Sequence, residues 1–159
     1  MTHNIDIKKD RLRYTKNTFS ATFCYLAILF NVFYFVSIYN KDVGNYYYSL
    51  TIGVSVICNL LFLLATFLCS EGVKGYKLNY SVFLLGLGAF QIIRIFGIPL
   101  NAFSTTIFLD GKEITVMGAK QFFFVCLFLV LSAVCCFVAG AIGIEKTKIL
   151  RNYEKQLNS

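Results

Sequence analysis

Four long apolar blocks dominate the sequence and limit what it can fold into. They run from about 19 to 39, 47 to 69, 80 to 100 and 122 to 144. Each has the roughly 20 residues that an α-helix needs to cross a hydrocarbon core of about 30 Å. Lipid offers no hydrogen bonds to the backbone, so such blocks must be helical in a membrane. We therefore predict an all-α membrane protein, a four-helix up-down bundle forming a single domain over residues 1–159.

The composition agrees with this class of protein. Apolar residues make up 57% of the chain and charged residues 14%, against about 45–50% and about 25% in soluble domains. The net charge is +7, but the Lys and Arg residues lie in short segments beside the blocks. A nucleic-acid-binding protein would place them on a folded soluble surface. We predict no nucleic-acid partner and expect these basic segments to contact anionic lipid headgroups.

The distribution of Lys and Arg predicts the orientation in the bilayer. The amino-terminal segment 1–18 carries five, the second loop two and the tail 145–159 four, against three on the opposite side. Cytoplasmic loops carry the excess of these residues, so we expect both termini in the cytoplasm. Short loops and basic inner ends are typical of a multi-pass protein of a bacterial plasma membrane. The first block is too long for the apolar region of a cleaved signal peptide.

Two segments outside the blocks have patterns of their own. In the loop between the third and fourth helices, Asp110-Gly111 lies between strand-forming residues, which predicts a β-hairpin over 107–116. This hairpin would either cover the bundle or offer an edge to a partner. The tail 145–159 is amphipathic, with Ile149 or Leu150, Tyr153 and Leu157 on one stripe. It would extend the fourth helix, lie on the inner headgroups or bind a partner helix.

Each predicted helix carries one polar side chain near its middle: Asn31, Asn59, Gln91 and Ser132. Because polar groups that face lipid are costly, this layer should point into the bundle. Two interpretations stay open. The layer is either a clamp between helices, at about 0.5–2 kcal/mol per contact, or part of a midplane site for a small molecule or ion.

Arg94 is the only charged residue inside a predicted block, and its burial costs about 2.5–3.5 kcal/mol on insertion scales. On a helical wheel, one arc of the third helix groups two glycines with two polar residues: Gly86, Gln91, Arg94 and Gly97. Gly88 falls outside this arc, and we expect Arg94 to face protein. Its partner would be a carbonyl, Asp110 or Glu113 from the outer loop, or an anionic ligand. Alternatively, the side chain extends toward the headgroups.

Small residues on the fourth helix predict close packing against a neighbouring helix. They are Ala133, Ala139, Gly140 and Gly143. Such residues let helix backbones approach each other in membranes. The neighbour would be either another helix of the bundle or a second copy of the chain.

The residue types in the blocks argue against an enzyme. No block contains Asp, Glu, His or Lys, so acid–base catalysis within the bilayer lacks candidates. The one histidine, His3, lies near the amino terminus. Six cysteines lie inside or at the edges of the blocks without a CxxC pair. We interpret them as small apolar residues and predict no disulfide, metal or cofactor.

Two functions remain for such a chain. We expect a non-enzymatic accessory or scaffolding subunit that packs against another membrane protein or against a second copy of itself. The alternative is a small dimeric transporter or channel, in which Arg94 and the polar layer contact an anionic or neutral solute. A water-filled cavity that reaches the layer would favour the alternative.

Overall fold

The computed structural model describes residues 2–38, 46–104, 106–109, 112–115 and 117–158. In chain order, its elements are α1 (Thr2–Tyr14), α2 (Thr18–Ile38), α3 (Tyr46–Lys74), α4 (Leu78–Phe96), α5 (Ile98–Ser104), β1 (Thr106–Leu109), β2 (Lys112–Thr115) and α6 (Ala119–Leu157). The first predicted loop, at 40–45, lies outside the described residues.

Four of the described helices are long and apolar enough to cross a membrane. The stretches are Thr18–Ile38, Gly53–Lys74, Leu78–Ser104 and Ala119–Leu157. They correspond one to one to the four predicted blocks. Many of their large apolar side chains point away from the bundle, among them Leu61, Ile93 and Val134. Helices that are apolar on all sides leave such residues on the outside when they span a membrane.

The long helices form an up-down bundle. α6 packs against both α2 and α4, and α3 packs against the same two helices. Three hydrogen bonds at successive levels show that α2 and α6 are antiparallel: Ser20 Oγ to the Ala139 carbonyl (2.5 Å), Ser132 Oγ to the Ala27 carbonyl (2.9 Å) and Gln121 Nε2 to the Ser37 carbonyl (2.8 Å). The main apolar core takes at least two residues from each of the four long helices, among them Cys24, Phe62, Leu84 and Cys136.

The amino-terminal and carboxyl-terminal segments lie at the same end of the bundle. α1 packs against α6, and Lys146 Nζ donates a hydrogen bond to Asn17 Oδ1 at 3.1 Å. The backbone N–H of Asn17 donates to the Lys74 carbonyl at 3.2 Å. α6 continues without a break to Leu157. Of the three interpretations of the tail, the structure shows an extension of the fourth helix, and Ile149 and Leu157 stay exposed on it.

Small residues let α6 approach α4 closely. A Cβ atom on Gly140 would lie 2.9 Å from the carbonyl oxygen of Ser81, and one on Gly143 would overlap the Ser81 side chain. Ala133 and Ala139 are buried in the same helix. The small residues thus allow close packing between helices of the bundle. Another helix of the bundle was one of the two neighbours that the sequence left open.

α3 is longer than predicted at its carboxyl end. A loop was predicted at 70–79, but the helix continues to Lys74, and only residues 75–77 separate it from α4. Glu71 and Lys74 form an ion pair one helical turn apart, and Lys74 Nζ also donates to the Tyr25 hydroxyl at 2.9 Å. Such pairs stabilise a helix surface. The helix thus extends five residues beyond the predicted end of the second span at Cys69.

The third predicted helix, 80–100, is interrupted near its carboxyl end. α4 ends at Phe96, Gly97 has φ −80° and ψ −115°, and α5 begins at Ile98. In a continuous helix, Pro99 would clash with the Ile95 carbonyl and leave it without its N–H donor. The break places Pro99 in the first turn of α5, where no helical N–H is needed. The third predicted span therefore holds two helices, α4 and the start of α5, with the break at Gly97.

Gly86 and Gly88 have the opposite environments from those expected on the helical wheel. A Cβ on Gly88 would lie 3.0 Å from the Phe137 ring, whereas Gly86 has open space. The buried stripe of α4 consists of Ser81, Leu84, Leu87, Gly88 and Gln91. The arc predicted to face protein included Gly86 and left out Gly88. It was therefore wrong about which of the two glycines faces the bundle.

β1 and β2 pair antiparallel between α5 and α6. Thr106 lies opposite Thr115, and Leu109 lies opposite Lys112. The Asp110-Gly111 turn lies outside the described residues. The side chains of Asp110 and Glu113, both candidate partners of Arg94, also lie outside the described part of the chain.

Candidate functional site

The five polar residues predicted inside the helices meet in the bundle. They are Asn31 on α2, Asn59 on α3, Gln91 and Arg94 on α4, and Ser132 on α6, and we call them the polar cluster. Asn31, Gln91 and Ser132 are fully buried, and Asn59 is 1% exposed. They meet because they lie at similar levels along the bundle.

Arg94 is bound to three helices through its guanidinium group. Its Nη1 donates to Asn31 Oδ1 at 3.1 Å and to Gln91 Oε1 at 2.8 Å. Its Nη2 donates to Asn59 Oδ1 at 2.9 Å. Hydrogen bonds from a charged donor are stronger than neutral ones. Arg94 therefore joins α2, α3 and α4 at one point and faces protein.

Gln91 and Ser132 connect α6 to the same cluster. Gln91 Nε2 donates to Asn31 Oδ1 at 2.9 Å and to Ser132 Oγ at 3.0 Å. Ser132 Oγ in turn donates to the Ala27 carbonyl at 2.9 Å. One donor is left over: Asn31 Nδ2 is buried and has no hydrogen-bond partner among the described residues.

Two aromatic rings flank the guanidinium. Arg94 Cζ lies 4.6 Å from the centre of the Tyr34 ring and 5.9 Å from that of Phe90. A cation over an aromatic face at this distance is attracted to it. Tyr34 was not among the predicted site residues, although it lies one helical turn after Asn31 and so shares its face.

A cavity of about 200 Å³ borders Arg94 at the break between α4 and α5. Its walls include Tyr34, Ser55, Cys58, Arg94 and Gly97. Ser55 was missed by the sequence analysis, although it lies one turn before Asn59 on the same face of α3. The cavity was not predictable, because the expected third helix ran unbroken past Gly97.

The cluster holds a positive charge among neutral groups. Among the described side chains, the one ion pair joins Lys74 and Glu71, and no carboxylate lies within ion-pair distance of Arg94. Amide oxygens stabilise this charge but do not cancel it, so the site is suited to hold an anion.

A second polar group, absent from the predicted site, lies at the end of the bundle where the termini meet. It consists of Asn17, Ser20 and Lys146, which link α6 to the start of α2. Thr147 Oγ1 donates to the Gly143 carbonyl at 2.6 Å beside them. Except for Ser20, these residues lie in segments predicted as polar ends, so the sequence offered no signal that they would pack together.

All six cysteines are free thiols. Among the described residues, no three His, Cys, Asp or Glu side chains are arranged to hold a metal ion. Comparison of the chain with protein-family models, with curated proteins and with solved structures finds no match. The polar cluster and the surfaces of the bundle are the features of the molecule that bear on its function.

Proposed function

We propose that the chain crosses a bacterial plasma membrane four times, with both termini in the cytoplasm. Four apolar helices of sufficient length support the crossing. The shared end of α1 and α6 carries most of the Lys and Arg residues, which supports the orientation because cytoplasmic segments carry their excess. These cations would then contact anionic headgroups of the inner leaflet.

In that membrane, we propose a non-enzymatic role as an accessory or scaffolding subunit of a larger complex. The observation that carries this proposal is the polar cluster. Six hydrogen bonds, five of them between different helices, join its members to one another and to the Ala27 carbonyl. Interhelical bonds of this kind contribute about 0.5–2 kcal/mol each. They favour one arrangement of the four helices, and a bundle of defined shape suits a docking role.

An apolar groove between α3 and α4 supports docking of a partner's transmembrane helix. It has a volume of about 510 Å³, and its α3 wall includes Leu61, Leu64, Ala65 and Leu68. These residues follow the i, i+3, i+4, i+7 spacing of one helix face. Ala65 is half-buried between exposed leucines. This recess without charged walls fits an apolar helix.

A pair of matched variants tests the scaffolding proposal. Ala65→Phe fills the groove, whereas Ala89→Phe adds the same side chain at an exposed position of α4 outside it. Each tagged protein is purified from native membranes in mild detergent and analysed by intact-complex mass spectrometry. We expect a stoichiometric partner with the wild type and Ala89→Phe, but not with Ala65→Phe. A bare monomer or dimer in all three would contradict the proposal, provided that thermal unfolding shows folded proteins.

The cavity beside Arg94 favours a second candidate, a small dimeric transporter or channel. Transport sites of membrane bundles lie near the midplane and open to water. Solute uptake into vesicles containing the purified protein tests it. Uptake that Arg94→Ala abolishes, in a variant that still folds, would support transport. Equal solute uptake by vesicles with the wild-type protein and by vesicles without protein would exclude transport of the solutes tested.

A further inference from the structure

Arg94 carries a positive charge that no described side chain neutralises. Its three acceptors are the neutral amide oxygens of Asn31, Asn59 and Gln91. A guanidinium has five N–H groups. Nη1 donates two hydrogen bonds and Nη2 one, so the second N–H of Nη2 and that of Nε have no partner among the described residues. An unneutralised charge inside a membrane bundle is costly, and a bound anion would lower this cost.

The cavity beside Arg94 provides space for such an anion and further donors to hold it. Tyr34 and Ser55 line it with Arg94 and are only 1% and 5% exposed. No hydrogen bond joins either hydroxyl to another of the described residues. Asn31, which accepts from Arg94, also leaves its Nδ2 donor unpartnered. Two hydroxyls of the cavity wall and one buried N–H group of the adjacent polar cluster are thus left over where one cation is in excess.

The cavity volume favours a small ligand. At about 200 Å³, it is smaller than the roughly 300–1,000 Å³ of sites for drug-sized ligands. A single cation also limits the charge, because a divalent anion would bring an uncompensated negative charge into the bundle.

We propose that Arg94 and this cavity bind a small monovalent carboxylate of the size of formate or acetate. The planar fork of a guanidinium matches the two oxygens of a carboxylate, and Nε and Nη2 lie on one edge of this group. The Tyr34 and Ser55 hydroxyls can donate to the same oxygens. The guanidinium lies over the face of the Tyr34 ring, which attracts it.

This site goes beyond the scaffolding role and does not depend on it. Binding is measured on the purified full chain, without a partner or a membrane gradient. A protein that lacks a partner can still bind acetate, and a protein that binds no acetate can still be a scaffold. Failure of one proposal is therefore distinguishable from failure of the other.

The test compares thermal unfolding in sodium acetate and in sodium chloride at equal ionic strength. A saturating ligand that binds only the folded state raises the unfolding temperature. We expect acetate to raise it by about 2–4 °C relative to chloride. Arg94→Gln should lose this shift, whereas Arg151→Gln, which removes an exposed arginine of α6, should keep it. Line broadening of ¹³C-labelled acetate measures binding directly and should show the same pattern.

Ser55→Leu provides a second variant in case Arg94→Gln does not fold. It fills the cavity from α3 and leaves every hydrogen bond of the polar cluster in place. We expect Ser55→Leu to unfold within about 2 °C of the wild type in chloride. The acetate shift and the broadening of labelled acetate should both be lost.

Three results would overturn the proposal. The first is equal stabilisation of the wild type by acetate and chloride, since it shows no preference for a carboxylate. The second is an acetate shift that survives in Ser55→Leu, since binding would then lie elsewhere. The third is a shift with decanoate and none with acetate, which would point to a lipid-like ligand instead of a small one.

Discussion

Nη2 of Arg94 lies 2.9 Å from Oδ1 of Asn59, and through this hydrogen bond α3 joins the polar cluster. The other described hydrogen bonds of the cluster run among α2, α4 and α6. Elsewhere in the core, α3 contributes apolar residues such as Phe62 and Val73. Apolar contacts tolerate sliding more readily than a directional bond to a charge, so the Arg94–Asn59 bond favours one register of α3.

Removal of the Asn59 amide should therefore destabilise the bundle. We expect Asn59→Ala to lower the free energy of unfolding by about 1–3 kcal/mol, because a buried charged donor loses its acceptor. Asn152→Ala, at an exposed position of α6, is the matched control and should change it by less than about 0.5 kcal/mol. Unfolding of the purified proteins in detergent measures both. Equal effects of the two variants would argue against a role of this bond in stability.

Two alanine substitutions of glycines should act with opposite sign. Gly86→Ala meets open space and should raise the free energy of unfolding by about 0.5–1 kcal/mol, as expected for a helix interior. Gly140→Ala would place a Cβ 2.9 Å from the Ser81 carbonyl oxygen. This overpacking should lower it by about 1–3 kcal/mol. The same unfolding assay checks both, and a stabilising Gly140→Ala would contradict the close approach of α4 and α6.

The attraction between Arg94 and Tyr34 can be separated from the Tyr34 hydroxyl. Tyr34→Phe keeps the ring 4.6 Å from Arg94 Cζ, so we expect a change of less than about 0.5 kcal/mol. Tyr34→Leu removes the ring and should cost about 3 kcal/mol, from lost cation–π attraction and lost core volume. Phe33→Leu, at an exposed neighbouring position, is the control. If all three variants unfolded alike, the ring would not stabilise the guanidinium.

The proposed orientation predicts which ends react with a membrane-impermeant maleimide. A cysteine at Lys120 should be labelled in intact cells, whereas one at Lys148 should be labelled only after the membrane is opened. The native cysteines lie within the apolar helices, so the unmodified protein serves as the background control. The reverse labelling pattern would place both termini outside.

The polar cluster could be predicted from depth alone. Side chains near the middle of apolar blocks of similar length reach the same level, which predicted that Asn31, Asn59, Gln91 and Ser132 come together. Depth does not say which atoms bond. That all three amide oxygens accept from Arg94 depends on the rotation of each helix, which a single sequence leaves undetermined.

Helix ends and breaks could not be predicted in the same way. Hydropathy placed the end of α3 before Glu71, but the local pairing of Glu71 with Lys74 keeps that turn helical. Hydropathy also predicted that the third helix continues through Gly97 and Pro99. The helix breaks there because proline has no N–H group and its ring clashes with a carbonyl of the preceding turn. The cavity beside Arg94 lies at that break, so neither the break nor the cavity was predicted.

α6 has a mechanical consequence, because it runs from Ala119 to Leu157 as one helix of 39 residues. Its length of about 58 Å is nearly twice the hydrocarbon thickness of about 30 Å. A continuous helix resists twisting. The rotation of the carboxyl end of α6 about the helix axis is therefore fixed by the packing of its other half against α2 and α4. A folded module fused after this end would keep a constant orientation, turned by about 100° and displaced by about 1.5 Å for each residue inserted. α6 is accordingly where a rigid fiducial for electron cryomicroscopy should be attached.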